Sequence, residues 1–125
     1  MSLFDGMLGN TLELTPEAYE DLAARFLIPG EELLKGYRIV RDLFIFTSKR
    51  IMIINYQGFT GKRTEYLMIP YRSITRYVLE TPGNLDVEYT LKLYLIGSLE
   101  PVERQFRNTI DPYELEALIS RFVLE

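Results

Sequence analysis

The chain contains no histidine, no cysteine and no tryptophan. Without histidine there is no Ser-His-Asp triad, no Cys-His pair and no imidazole metal ligand. Without cysteine there is no disulfide and no thiolate zinc site. Catalysis would have to rest on carboxylate, lysine, tyrosine or hydroxyl chemistry. Long apolar runs are also missing: none approaches the ~18 residues needed to cross a bilayer. The N-terminus, "MSLFDGMLGN", has no basic residue ahead of its apolar positions and does not read as a secretory signal, so the expected location is the cytoplasm. Positive charge is in short supply. Fourteen Lys and Arg stand against 18 Asp and Glu, and the net charge of −4 opposes general nucleic-acid binding and gives no broad attraction to an anionic membrane. A local basic patch is still open.

What is present is an ordinary globular composition. Hydrophobic residues make up 47% and charged residues 26% of 125 residues, which suits one domain over 1–125 with one sizeable core. Leu3, Phe4, Met7 and Leu8 fit one face of a short helix that Gly6 and Gly9 weaken, so this segment is expected to dock on the domain or on a neighbouring subunit. Thr15, Pro16 and the stripe Tyr19, Leu22, Ala23 and Phe26 predict a helix over 15–28, stopped by Pro29-Gly30. The N-terminal helical segment thus occupies 1–30.

Residues 36–107 read as β. Runs rich in β-branched and aromatic residues predict strands over 36–41, 43–47, 50–56, 64–69, 74–80, 87–96 and 102–107. The sixth alternates most cleanly, with Val87, Tyr89, Leu91, Leu93 and Leu95 on one face and Glu88, Thr90 and Lys92 on the other. The breaks between runs are too short for parallel crossovers, so seven antiparallel strands are expected. A closing helix over 111–124 has Asp111 as its cap, Pro112 at its first position, Glu114 three residues after the cap, and Leu115, Leu118, Ile119 and Phe122 as its buried stripe.

The segment "YQGFTGKR", residues 56–63, has the look of a phosphate cradle, but the pattern fails. A Walker-type loop needs two glycines five positions apart, a Lys followed by Ser or Thr, and a helix behind it. Gly58 and Gly61 are three apart, Lys62 precedes Arg63, and "TEYLMIPY" follows as a strand. The two glycines instead suit a hairpin turn.

Taken together, "FDGMLGN" at 4–10, "RDLFIFTSKR" at 41–50, "NYQGFTGKR" at 55–63, "IPYRSITRY" at 69–77, "ETPGNLD" at 80–86 and "LKLYLIG" at 91–97 resemble the bacterial pleckstrin-homology (PH-like) domain family, formerly a domain of unknown function. The resemblance runs from about residue 4 to the end. It implies a mainly β fold with α: a PH-like, partly open barrel of two antiparallel sheets, capped by the C-terminal helix. It also implies ring-shaped homo-oligomers. Two residues depart from the family pattern, Asn55 where relatives commonly have aspartate and Thr90 where they commonly have glutamate.

Candidate site residues are few. Lys49, Arg50, Lys62 and Arg63 lie at turns and would form a small anion-binding patch if those turns converge. The short connection at Arg41-Asp42, where eukaryotic relatives carry a phosphoinositide loop, leaves little room for a cradle. Asp86 with Glu88, and Glu31 with Glu32, are carboxylate pairs, but each follows a Pro-Gly turn where acidic residues are common. The tyrosines suit core and interface better than a ligand groove. No cofactor, metal or catalytic residue is expected. The expected role is a non-catalytic interaction module that self-associates through strand edges, with Leu3, Phe4, Met7 and Leu8 at the interface and another protein as a further partner. Peripheral membrane or anionic-lipid binding is the second reading, and enzyme the third.

Overall fold

The computed structural model describes residues 12–14, 16–39, 42–56, 64–83 and 87–125. The elements follow in the order β1 (Leu12–Leu14), α1 (Pro16–Ala24), β2 (Leu33–Ile39), β3 (Asp42–Thr47), β4 (Arg50–Tyr56), β5 (Thr64–Pro70), a 3-10 turn (Tyr71–Ser73), β6 (Ile74–Glu80), β7 (Glu88–Leu95), β8 (Val102–Arg107) and α2 (Pro112–Val123). All seven expected strands and both helices are present, preceded by the three-residue β1. The chain divides into two compact units, Met1–Ile69 and Pro70–Glu125.

In the first unit, β1 to β5 form a five-stranded sheet in sequence order. Every connection joins neighbours, as the short breaks require. Side chains alternate between faces, so direct partners share a face. Leu43 lies opposite Ile54, and Ile45 opposite Met52. These four join Tyr19 and Ala23 of α1 in one buried cluster, flanked by Leu22, Phe26, Leu27, Leu33 and Met68. The helical stripe read from the sequence is therefore the face that packs. Gly36 lies opposite Ile45 on this same face, and the ring of Tyr19 rests directly on its backbone. The other face of the sheet carries Tyr37, Phe44, Phe46, Ile51 and Ile53, all buried. Edge-to-face contact between Tyr37 and Phe46, with centroids 6.0 Å apart, suits the ring quadrupoles. All six residues of β3 are buried, which explains why its sequence "DLFIFT" shows little alternation.

Two boundaries differ from expectation by three residues or more, for one reason. Helix α1 ends at Ala24, not 28, and β2 begins at Leu33, not 36. The intervening backbone is drawn into polar contacts. Ser48 N–H donates to Glu32 O at 2.8 Å and Glu32 N–H to Ser48 Oγ at 2.9 Å, extending the β2–β3 pairing. A bulge between Leu33 and Lys35 absorbs the misfit.

In the second unit, β6, β7 and β8 form a three-stranded antiparallel sheet. Tyr89, Leu91 and Leu93 are buried as the alternation requires, while Val87 is exposed and Leu95 half-buried. Tyr89 lies opposite Phe106 and stacks on it with centroids 5.5 Å apart. Its hydroxyl donates to Ile110 O at 2.6 Å, which ties β7 to the approach of α2. Burial, with Asp111 and Glu114 nearby, raises the pKa of that phenol above its usual value. On the solvent face, Lys92 reaches Glu80 at 3.1 Å and Glu103 at 3.5 Å, a charge ladder across all three strands. Those hydrogen bonds hold the Lys92 pKa up.

The Pro70–Ile74 step owes its pattern to a 3-10 turn. Pro70 is extended and ends β5, Ser73 Oγ donates to Pro70 O at 2.7 Å, and Ile74 enters β6 buried. Tyr71 is buried and stacks on Phe122 of α2, with centroids 4.6 Å apart and planes 11° off parallel. Tyr77 and Ser120 share a hydrogen bond of 2.7 Å. Helix α2 starts as its sequence dictates: the Asp111 carboxylate accepts from Tyr113 N–H at 2.9 Å, with Pro112 at the first helical position. Asp111→Ala is expected to destabilise the protein by about 1 kcal/mol in urea unfolding, with Asp111→Asn close to wild type.

Candidate functional site

The densest polar cluster gathers three elements around Glu31. The chain leaves α1 through Arg25 and Phe26, turns at Pro29-Gly30, where Gly30 adopts φ +86°, and delivers Glu31 into the interior. That left-handed conformation is why glycine stands there. The tight β3–β4 turn supplies Thr47 and Arg50. Arg50 Nε and Nη2 each meet one Glu31 oxygen at 2.9 Å, a parallel fork. Thr47 Oγ1 donates to Glu31 Oε2 at 2.6 Å, and Ile28 N–H donates to Oε1 at 3.1 Å. Arg50 Nη2 also donates to Phe26 O. Thr47 Oγ1 in turn accepts from the N–H groups of Lys49 and Arg50 at 3.1 and 3.0 Å, shaping the turn itself.

A carboxylate has about four lone-pair positions, and here four donors occupy them. Burial alone pushes the Glu31 pKa up. The bonds from Arg50, Thr47 and Ile28, with the Arg50 charge, outweigh it and hold the carboxyl below the ordinary glutamate value. A saturated, ionised carboxylate has nothing left to take a proton from a substrate or to grip a ligand. This cluster is a clamp that fastens the exit of α1 to the β3–β4 turn.

Arg50 is committed to Glu31 and Phe26, which argues against its receiving an outside anion. Lys49 is exposed beside it. Lys62 and Arg63 lie outside the described residues, as do Gly58, Gly61, Asp86, Leu3, Phe4, Met7 and Leu8. The segment 57–63 connects neighbouring strands β4 and β5, and the element after it is a strand, which leaves no helix N-terminus for a phosphate. Glu88 accepts from Gln105 Nε2 at 3.0 Å. Glu32 is exposed. The connection of β2 to β3 is only two residues long, 40–41, as the sequence implied. At the first family departure, the Asn55 amide donates to Asp42 Oδ1 at 2.5 Å across the β3–β4 ladder. An ionised aspartate at 55 could not make that bond. Thr90 lies opposite Gln105 and makes no ion pair there. Sequence reasoning missed the Glu31 clamp. Its signal was the pairing of an acid after Pro-Gly with a Thr and Arg in one turn. Among the described residues no group of three or more Asp or Glu could hold a metal, and no helix is long and apolar enough to cross a membrane.

A sequence profile described as the bacterial PH domain matches residues 2–123. The chain belongs to the bacterial PH domain family. This PH domain is 37% identical over 121 residues to YjqA of Bacillus subtilis (strain 168), an uncharacterised protein, covering 96% of this chain and 97% of that one. Two solved structures are similar across almost the whole chain. One is a DUF1696 family protein with a pleckstrin-homology domain from Shewanella loihica PV-4, with 32% identity, a TM-score of 0.81 and coverage of 92% and 98%. The other is a pleckstrin homology domain from Shewanella amazonensis SB2B, with 35% identity, a TM-score of 0.77 and coverage of 99% and 100%. The fold is therefore PH-like, and the matched residues span both compact units. The "FT-x-KR" motif supplies Thr47 and Arg50 of the clamp, and the "IPY-x-SI" motif holds the 3-10 turn that leads into β6.

Proposed function

We propose that this PH domain is a non-catalytic interaction module that associates with copies of itself, in a ring, and presents its surface to another protein. The observation that carries this reading is the state of the sheet edges. Each of the two sheets ends in strands with one side unpaired within its own sheet: β1 and β5 in the first, β6 and β8 in the second. Edges of this kind are shortened, charged or paired. β1 is shortened to three residues, and β8 carries Glu103, Arg104 and Arg107. β5 and β6 are seven residues each, and β5 leaves Tyr66 43% exposed. Pairing by symmetric closure would satisfy such edges without open-ended growth. The β7–β8 turn adds apolar surface, with Ile96 73% and Leu99 96% exposed. Leu3, Phe4, Met7 and Leu8 are proposed to cover part of the interface.

The engagement of Arg50 Nε and Nη2 by Glu31 and Phe26 and the net charge of −4 weigh against lipid or phosphate recognition at the β3–β4 turn. Light scattering is expected to give a solution mass several times that of one chain, and deletion of residues 1–10 is expected to lower it. A monomer at micromolar concentration overturns the proposal. Salt-sensitive sedimentation with anionic vesicles, abolished by Lys62→Glu with Arg63→Glu, would favour the membrane reading instead.

A further inference from the structure

Arg38 is wholly buried, at 0% exposure, and its Nε, Nη1 and Nη2 have no hydrogen-bond partner among the described residues. This is unusual chemistry for a fold to keep. A guanidinium presents five N–H donors and does not give up its proton in proteins, even though burial lowers the Arg38 pKa from its usual value. An uncompensated buried charge opposes folding by several kcal/mol. Arg50, in the same unit, shows the ordinary solution, a carboxylate locked in its fork.

The position of Arg38 says what could reach it. It is the next-to-last residue of β2 and lies opposite Leu43 on one side and Leu12 on the other. It therefore shares the sheet face of Gly36, Leu43 and Ile45, at the end of the apolar cluster that α1 covers. Leu43 offers it no polar group. Leu12 is the first residue of a three-residue edge strand, so a short strand borders one side of the site. Short edge strands open locally at low free energy. Access thus needs displacement of a sheet corner, not of the core.

We propose that Arg38 is the receptor for an oxyanion that enters at the β1–β2 corner and is held by the guanidinium fork. The chemistry is that of a phosphate or carboxylate group, whose paired oxygens match the parallel N–H donors. The anion is either free in solution or the carboxylate of a second copy. The free-anion form does not depend on self-association.

Thermal unfolding of the full chain at neutral pH tests this, with inorganic phosphate replacing chloride at constant ionic strength. Wild type is expected to gain several degrees, and Arg38→Met to gain nothing beyond the general salting effect of phosphate. Arg38→Met should also melt above wild type in phosphate-free buffer, because the unpaired charge is gone. If the anion is a second copy's carboxylate, phosphate has no Arg38-dependent effect. The wild-type midpoint then falls more steeply on dilution than that of Arg38→Met. If Arg38→Met does not fold, nitrogen-edited NMR of the arginine Nε–Hε groups serves in its place. The Arg38 signal, identified by its loss in Arg38→Lys, must move with phosphate or with dilution. Equal responses in wild type and variant to both treatments, or an Arg38 signal that stays fixed, overturn the proposal.

Discussion

Glu31→Ala is expected to destabilise the protein by about 3 kcal/mol, because it strips the partner from the half-buried Arg50 guanidinium and leaves Ile28 N–H without its acceptor, while Thr47 Oγ1 retains Arg50 O at 3.1 Å. In a chain of this size that corresponds to a fall in midpoint of roughly 10 °C or more. Calorimetry reads it directly. Arg50→Met should be comparably harmful, since it leaves the Glu31 carboxylate buried with two donors in place of four. The double variant should lose less than the two singles together by about 1 kcal/mol or more, since each single already breaks the shared fork. The pH dependence has a definite sign. The Glu31 carboxyl titrates below its ordinary value of 4.5 in the folded protein. Its contribution is therefore complete above that value and is lost as pH falls through the lower, folded pKa. The gap between wild type and Glu31→Ala should be constant near neutrality and narrow in acid. A gap that ignores pH would mean the group is not ionised in the fold.

Gly36→Ala is the second large effect, and its sign is what makes it informative. Glycine inside a strand is a weak choice, and alanine there would ordinarily stabilise by roughly 0.5–1 kcal/mol. At this position an added Cβ would lie 2.3, 2.5 and 2.8 Å from three ring carbons of Tyr19. Tyr19 is itself buried against Ala23 and the sheet, so the ring cannot step aside without lifting α1. A loss of about 2–3 kcal/mol is expected. In a Tyr19→Ala background the same substitution should become neutral or favourable. Urea unfolding of the four proteins measures both. A Gly36→Ala protein as stable as wild type would show that α1 is not seated where these distances place it.

The strands were legible because their physics is local. The alternation of Val87 to Leu95 and the β-branched run "RIMIINY" mark their elements without reference to anything distant, and the observed strands start and stop within a few residues of those runs. Helix α2 was legible for the same reason, since Asp111 and Pro112 set its start by themselves. The end of α1 was not. Nothing near residue 25 says that the chain must leave the helix so that Ile28 N–H and Phe26 O can serve a carboxylate and a guanidinium contributed from sequence positions 3 to 24 residues away. The start of β2 shifted for the same cause. Arg38 was illegible in a different way. In "YRIV" an arginine reads as the polar half of an alternating strand, and only the burial of both faces of β2 over Tyr37–Ile39 makes it an interior charge. The bacterial PH resemblance supplied fold and family together. It could not say what Asn55 does, which took the register of β3 against β4.

The saturation of Glu31 bears on how screens of this protein would be interpreted. Loss of the clamp lowers the amount of folded protein in a cell by mass action and proteolysis, with no change to whatever surface meets a partner. Glu31, Thr47 and Arg50 would then score as hits in any assay that counts signal without counting molecules, and they would masquerade as a reactive centre. Abundance-normalised readouts would clear them and redirect attention to substitutions that silence the protein at full expression.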